Sequence, residues 1–278
     1  MSLNPDAIDL ILEKANPAAL EHWNQIARNT QMHTVALFAI SGSPNGDVLT
    51  LAGTGTLVTD GTAHCILTAA HVWHKVLKPA DKLGVTLRET LDHRCLIDVD
   101  KVVPLGPARP SSWNEWGPDI ILLRIPEARV GEIKAFRVFY GLHSVEQFIY
   151  RAEHTQTYML AGTPHALGTF TQNHASVEIM GFWVGLPFQY VHESWDYFDV
   201  KARIPPPSDA VSFGGVSGGG LWKVQIYGDP SSDAIASNAI LEGVAFYEFD
   251  VVDGSGTIRC HGPESIRRVV QNLVQKPE

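Results

Sequence analysis

The segment Phe213-Gly214-Gly215-Val216-Ser217-Gly218-Gly219-Gly220-Leu221 sets one hydroxyl among five glycines. Glycine admits positive φ and lets another backbone approach closely. A serine nucleophile needs such surroundings, because its hydroxyl must be exposed while backbone N–H groups point at a developing oxyanion. A glycine-rich turn with an incidental serine reads the same in isolation, and two further segments narrow the choice. Ile66-Leu67-Thr68-Ala69-Ala70-His71-Val72 runs an apolar strand into small residues and then an imidazole. Small neighbours let that ring face a cleft, where it serves as general base and then general acid. Pro118-Asp119-Ile120-Ile121-Leu122-Leu123-Arg124 puts a carboxylate directly before an apolar strand. A buried acid there orients a histidine through its Nδ1–H.

Together the three segments resemble the chymotrypsin/trypsin-like serine peptidases. Leu67–His71 matches their Leu-Thr-Ala-Ala-His motif, and Gly215–Gly219 fits their Gly-x-Ser-Gly-Gly. Asp119–Arg124 is similar to their Asp-Ile-Ala-Leu-Leu-Arg, and the order histidine, aspartate, serine is also theirs. Gly53-Thr54-Gly55-Thr56-Leu57-Val58 and Ala161-Gly162-Thr163-Pro164 extend the likeness over residues 33–275. The resemblance implies an all-β fold of two six-stranded antiparallel β-barrels. They would span residues 33–145 and 146–278, after a helical extension over 1–32 and with a helix closing the chain. It further implies a serine endopeptidase working through an acyl-enzyme, with polypeptide substrates, no cofactor and no metal. His71, Asp119 and Ser217 would be the triad, and the N–H groups of Gly215 and Ser217 the oxyanion hole.

Departures from the pattern carry information too. Val216 stands where secreted members have the Asp that pairs with a new N-terminus, so trypsinogen-type activation is not expected. Val72 replaces the Cys that follows the family's histidine. Val211 and Ser212 fall where the specificity pocket should begin, without an acid at the floor. Phe246 and Tyr247 are expected to line the cleft and Glu248 to stand near the pocket mouth; Asp209 is a second acid if the loop is shifted. Glu248 would favour a basic P1 residue, whereas an apolar floor would favour a hydrophobic or small one.

Other chemistries fit less well. His64, Cys65, His71 and His74 cluster in sequence, but at no standard zinc spacing, and no His-Glu-x-x-His is present. A protease fold that binds peptides without cutting them is the non-enzymatic alternative, and esterase-like acyl transfer would use the same triad.

The elements that must position these groups follow from periodicity. Ile8, Leu12, Ala15, Ala19, Trp23, Ile26 and Ala27 recur at helical spacing over residues 5–29, after Asn4 as cap and Pro5 in the first turn. Pro17 predicts a kink or two shorter helices. The apolar stripe either packs on the protein's own surface or docks a regulatory partner. From Thr34 the texture becomes short apolar or alternating runs: Thr34–Ile40, Val48–Val58, Ala63–Leu67, Lys82–Leu87, Ile97–Val103 and Ile120–Ile125. Glu132–Phe139 and Val145–Arg151 are ambiguous between strand and helix. A second series includes Tyr158–Gly162, Ala175–Met180, Phe188–Val191, Tyr197–Arg203, Gly219–Tyr227 and Ala239–Phe249. Asn45-Gly46 and Gly228-Asp229-Pro230 read as turns. Pro263 opens a last helix with Ile266, Val269, Val270 and Leu273 on its apolar face.

The bulk numbers agree with a globular chain. It has 278 residues, 45% hydrophobic and 18% charged, with a formal net charge of −9. That charge disfavours nucleic acid as a partner. No stretch approaches the roughly 18 apolar residues of a membrane span. The N-terminus has neither a basic nor an apolar leader region, and three cysteines make no disulfide framework. Both points lead to an expectation of the cytoplasm.

Overall fold

A computed structural model describes residues 5–43, 46–88, 93–107, 114–142, 154–165, 168–170, 175–203, 212–227, 236–249, 251 and 255–275. The chain opens with α1 (Pro5–Lys14) and α2 (Pro17–Gln31), two helices divided as Pro17 requires. Asn16 caps the second, its side chain accepting from Ala19 N at 2.9 Å. The first sheet holds β1 (Thr34–Ser43), β2 (Gly46–Thr59), β3 (His64–Thr68), β4 (Lys82–Thr86), β5 (Arg94–Asp98), β6 (Val103–Leu105) and β7 (Ile121–Arg124). Then come α3 (Glu127–Lys134) and β8 (Tyr140–Gly141). The ambiguous Glu132–Phe139 run is therefore the end of a helix and a loop, and Val145–Arg151 lies outside the described residues.

Hydrogen bonding orders the first sheet β5-β4-β1-β2-β3-β7-β6. Its two ends are consecutive in the chain, joined by the 3₁₀ turn Val99–Lys101. One bent strand thus supplies both edges and closes six strands into an antiparallel barrel, which leaves few open edges to aggregate. β8 adds a two-residue parallel pairing to β2.

The second sheet contains β9 (His154–Gly162), β12 (Met180–Val184), β13 (Phe188–His192), β14 (Trp195–Arg203), β15 (Gly220–Tyr227), β16 (Ala236–Glu248) and β17 (Ser255–His261). A small separate hairpin, β10 (Thr169–Phe170) with β11 (Ala175–Ser176), precedes β12. The order is β12-β9-β15-β16-β17-β14-β13. Gly185 N donates to Lys201 O at 3.0 Å, bringing the end of β12 against β14. With that contact, β9, β12, β14, β17, β16 and β15 follow the same circular order as β1, β2, β3, β7, β5/β6 and β4. The six-strand expectation holds for each half, and β13 is an extra strand hydrogen-bonded outside β14. Seven strands appear because the chain doubles back at Glu193 and Ser194, both at positive φ.

The helices tie the halves together. The apolar stripe of α1 and α2 is occupied within the chain: Ile8, Trp23 and Ile26 pack on Met159, Val224 and Ile226 of the second sheet. Trp23 also meets Trp183 edge-on at 4.9 Å. Burying each such side chain stabilises by about 1.5–3 kcal/mol. α4 (Pro263–Gln275) buries Ile266 and Val269 in a cluster shared by Leu67 and Leu122 of the first sheet and Trp222 and Val244 of the second.

Among the described residues no helix is long and apolar enough to cross a membrane.

Candidate active site

His71 follows β3 through Ala69 and Ala70, both buried, and begins the helical turn Val72–Leu77. Asp119 ends the loop that leads into β7. The two meet at two points. His71 Nδ1 lies 2.6 Å from Asp119 Oδ2, and the His71 backbone N–H donates to Asp119 Oδ1 at 2.8 Å. Both carboxylate oxygens are thus held by one residue, which fixes the acid and the ring together. The Asp119 side chain is 4% exposed and that of His71 24%, so the acid is enclosed while the ring reaches solvent. That is the arrangement in which a carboxylate orients an imidazole tautomer.

Ser217 sits in a turn between β14 and β15 that the first sheet grips. Thr54 N donates to Ser217 O at 2.9 Å, and Thr54 Oγ1 donates to Gly215 O at 2.7 Å. Thr56 Oγ1 donates to Gly218 O at 3.1 Å, while Thr68 Oγ1 donates to Thr54 O at 2.7 Å. All three threonines are fully buried. A Cβ on Gly53 would lie 2.9 Å from Ser217 O and 2.9 Å from Val72 Cγ2. The serine turn and the residue after His71 therefore flank the same glycine. The Ser217 hydroxyl makes no hydrogen bond among the described residues.

The glycines answer a steric demand. Gly215 and Gly218 have φ of 95° and 94°. A Cβ on Gly215 would lie 2.3 Å from His165 Cδ2, and one on Gly218 only 1.9 Å from Thr54 O. His165 N donates to Gly214 O at 2.7 Å. The peptide plane then turns the Gly215 N–H the opposite way. Among the described residues the N–H groups of Gly215 and Ser217 have no partner, which leaves two donors for an oxyanion. Val216 is buried, with Cγ1 2.7 Å from where a Cβ on Gly162 would lie.

A small pocket of about 30 Å³ opens beside Ser217, with Phe213, Val216, Phe246, Tyr247, Glu248 and Ile258 among its walls. Glu248 is turned inward: Oε1 accepts from Phe213 N at 2.8 Å and Oε2 from Ser212 Oγ at 3.0 Å. Ser212 is thus tied to Glu248, and Phe246 and Tyr247 are among the pocket's walls. Val211 and Asp209 lie outside the described residues.

The rival zinc cluster is dispersed by the pleat. His64 meets Phe139 edge-on at 4.9 Å, while its neighbour Cys65 is buried in the core on the other face. Among the described residues no three His, Cys, Asp or Glu side chains gather to hold a metal.

Several contributors escaped sequence reasoning. His261 accepts from Asp119 N at 2.9 Å, and the Tyr197 hydroxyl donates to Trp116 O. Arg259 Nη1 donates to Glu115 O at 2.9 Å. His261 lies 142 residues from its partner, and no spacing rule links them. Thr54 carried a faint signal, a hydroxyl between two glycines.

No family model matches the chain, and no curated protein matches it. Among solved structures, one similar chain comes from work on aromatic interactions in the coupled folding and binding of the intrinsically disordered Sesbania mosaic virus VPg protein. It is 13% identical with a TM-score of 0.42, covering 84% of this chain and 89% of that one, a likeness too low to argue from.

Proposed function

We propose that the protein is a chymotrypsin-like serine endopeptidase. The two-point His71–Asp119 contact, lying across Gly53 from the Ser217 turn, carries this reading. Ser217 attacks the scissile carbonyl as His71 takes its proton. Asp119 stays ionised and holds the Nδ1–H tautomer. The Gly215 and Ser217 N–H groups receive the oxyanion, and His71 then protonates the leaving amine. Water repeats the sequence on the acyl-enzyme. The pocket of about 30 Å³ selects a small P1 residue. Three free thiols suit a reducing compartment, and we assign the enzyme to limited cleavage of a dedicated protein in the cytoplasm.

A fluorophosphonate probe tests the reading without a known substrate. Native protein should label at one site, and Ser217→Ala or His71→Ala should abolish labelling. No labelling of the native chain would favour the peptide-binding module instead.

A further inference from the structure

His261 stands at the end of β17, fully buried, and meets the backbone of the acid Asp119. Its Nε2 accepts the Asp119 backbone N–H at 2.9 Å, so the proton of this neutral ring sits on Nδ1. That buried Nδ1–H has no hydrogen-bond partner among the described residues. Native folds seldom leave a buried donor unmatched without reason. The ring is fixed instead by stacking. Phe246 lies at 4.3 Å with an interplanar angle of 24°, Tyr197 at 5.1 Å and Trp195 edge-on at 5.7 Å. Phe246 itself lines the pocket beside Ser217.

We infer that His261 is a positioning residue that sets the catalytic acid from the substrate-pocket strand. The claim rests on the peptidase reading above and goes beyond the triad. Asp119 belongs to a first-sheet loop, yet that loop is held at Glu115, Trp116 and Asp119 by second-sheet side chains. Of these, His261 alone meets the backbone of the acid. Gly117 makes the approach feasible: at φ 62°, a Cβ there would lie 3.1 Å from His261 Nε2 and 2.6 Å from Asp119 N. Phe246, His261 and Asp119 thus form one line from pocket wall to carboxylate.

His261→Phe keeps an aromatic stack and removes the acceptor. His261→Gln keeps an acceptor at nearly the same reach. Fluorophosphonate labelling by His261→Phe should slow by about 10- to 100-fold, the range expected when a catalytic group is displaced by about 1 Å. His261→Gln should recover to within about threefold of native. Independently of activity, the downfield proton resonance of the His71–Asp119 hydrogen bond should weaken or move in His261→Phe and return in His261→Gln. A native rate and an unmoved resonance in His261→Phe would overturn the assignment. So would a slowed His261→Phe that the glutamine fails to rescue. If native protein labels no better than Ser217→Ala, the peptidase reading fails, while the resonance still decides the role of His261.

Discussion

Thr54→Val separates the support of the oxyanion turn from the backbone that carries it. The Thr54 hydroxyl donates to Gly215 O at 2.7 Å and accepts from Thr163 N at 2.9 Å. Valine keeps the branched shape and the Thr54 N–H bond to Ser217 O, but orphans a buried carbonyl and a buried amide. Each orphan costs about 1–3 kcal/mol, so the fold should lose roughly 2–6 kcal/mol. For a chain of this length, Tm moves by about 2 °C per kcal/mol, which gives a fall of roughly 4–12 °C. The Gly215 carbonyl would also lose its anchor next to a proposed oxyanion donor. One such donor is worth about 10²–10³ in rate, and partial misalignment should slow labelling about 10- to 100-fold. Thr56→Val is the control. It removes a single bond, to Gly218 O at 3.1 Å, and should cost about half the Tm loss with little effect on labelling. Melting by circular dichroism and a labelling time course measure both. A Thr54→Val protein that labels at the native rate would refute the reasoning, as would a Thr56→Val protein slowed to the same degree.

Asp119→Asn should lower turnover by about 10⁴, because the amide selects the wrong imidazole tautomer; near-native labelling would reject Asp119 as the orienting acid. A peptide library should show cleavage after Ala, Ser or Thr at least about tenfold faster than after Phe or Arg, since a pocket of about 30 Å³ has room for one or two waters' worth of side chain. Tyr247→Gly should widen that preference, and cleavage confined to Lys and Arg would contradict it. Burial pushes His261 down to about 3, and His33, His64 and His165 shift the same way. Between that range and the ordinary 6.5, the unfolded chain binds protons that the fold does not. For His261 stability should therefore fall as pH drops from about 6.5 towards 3, by up to about 1.4 kcal/mol per pH unit, and this ring adds no slope above that window. Urea melts of native protein and His261→Gln would expose this, and equal slopes for the two would exclude His261 as a source. Burial also raises the Cys65 and Cys95 thiols to about 12 and Cys260 higher still. Ellman's reagent should find no reactive thiol in the native protein and three after denaturation.

What could be read from sequence follows the range of the interactions involved. Strand runs such as Thr34–Ile40 and Tyr197–Arg203 were legible because alternation and β-branching act locally. The paired helices were legible because Pro17 acts on its own turn. The bend that closes the first barrel was not: Ile97–Val103 reads as one strand, but it breaks at Val99–Lys101 so that its halves can pair with different neighbours. β17 was missed because Ser255–His261 mixes polar and charged residues. Arg259 sits there because Asp199 holds it at 2.8 Å through two nitrogens and Trp116 stacks on it at 4.6 Å. At the proposed site, the motifs around His71, Asp119 and Ser217 were legible because each is local. Their supports were not, since Thr54, Tyr197 and His261 act on partners 81 to 161 residues away.

The helices explain why a site split between two sheets can stay aligned. α1 and α2 precede the first sheet but bury Trp23 and Ile26 on the second. α4 follows the second sheet but buries Ile266 and Val269 beside Leu67 and Leu122 of the first. Separating the sheets would expose the shared core beneath α4 and break the threonine bonds to the Ser217 turn together. At about 1.5–3 kcal/mol per large apolar side chain, exposing Ile266, Val269, Leu67 and Leu122 costs roughly 6–12 kcal/mol, comparable to a domain's usual margin of 5–15 kcal/mol. Sliding of one sheet on the other is therefore coupled to global unfolding. If so, amides at both ends of the joint, Thr54 and Asp119, should exchange hydrogen only at the global unfolding rate. Faster, local exchange at Asp119 N–H would mean that the acid's loop opens by itself, and that His261 does not hold it.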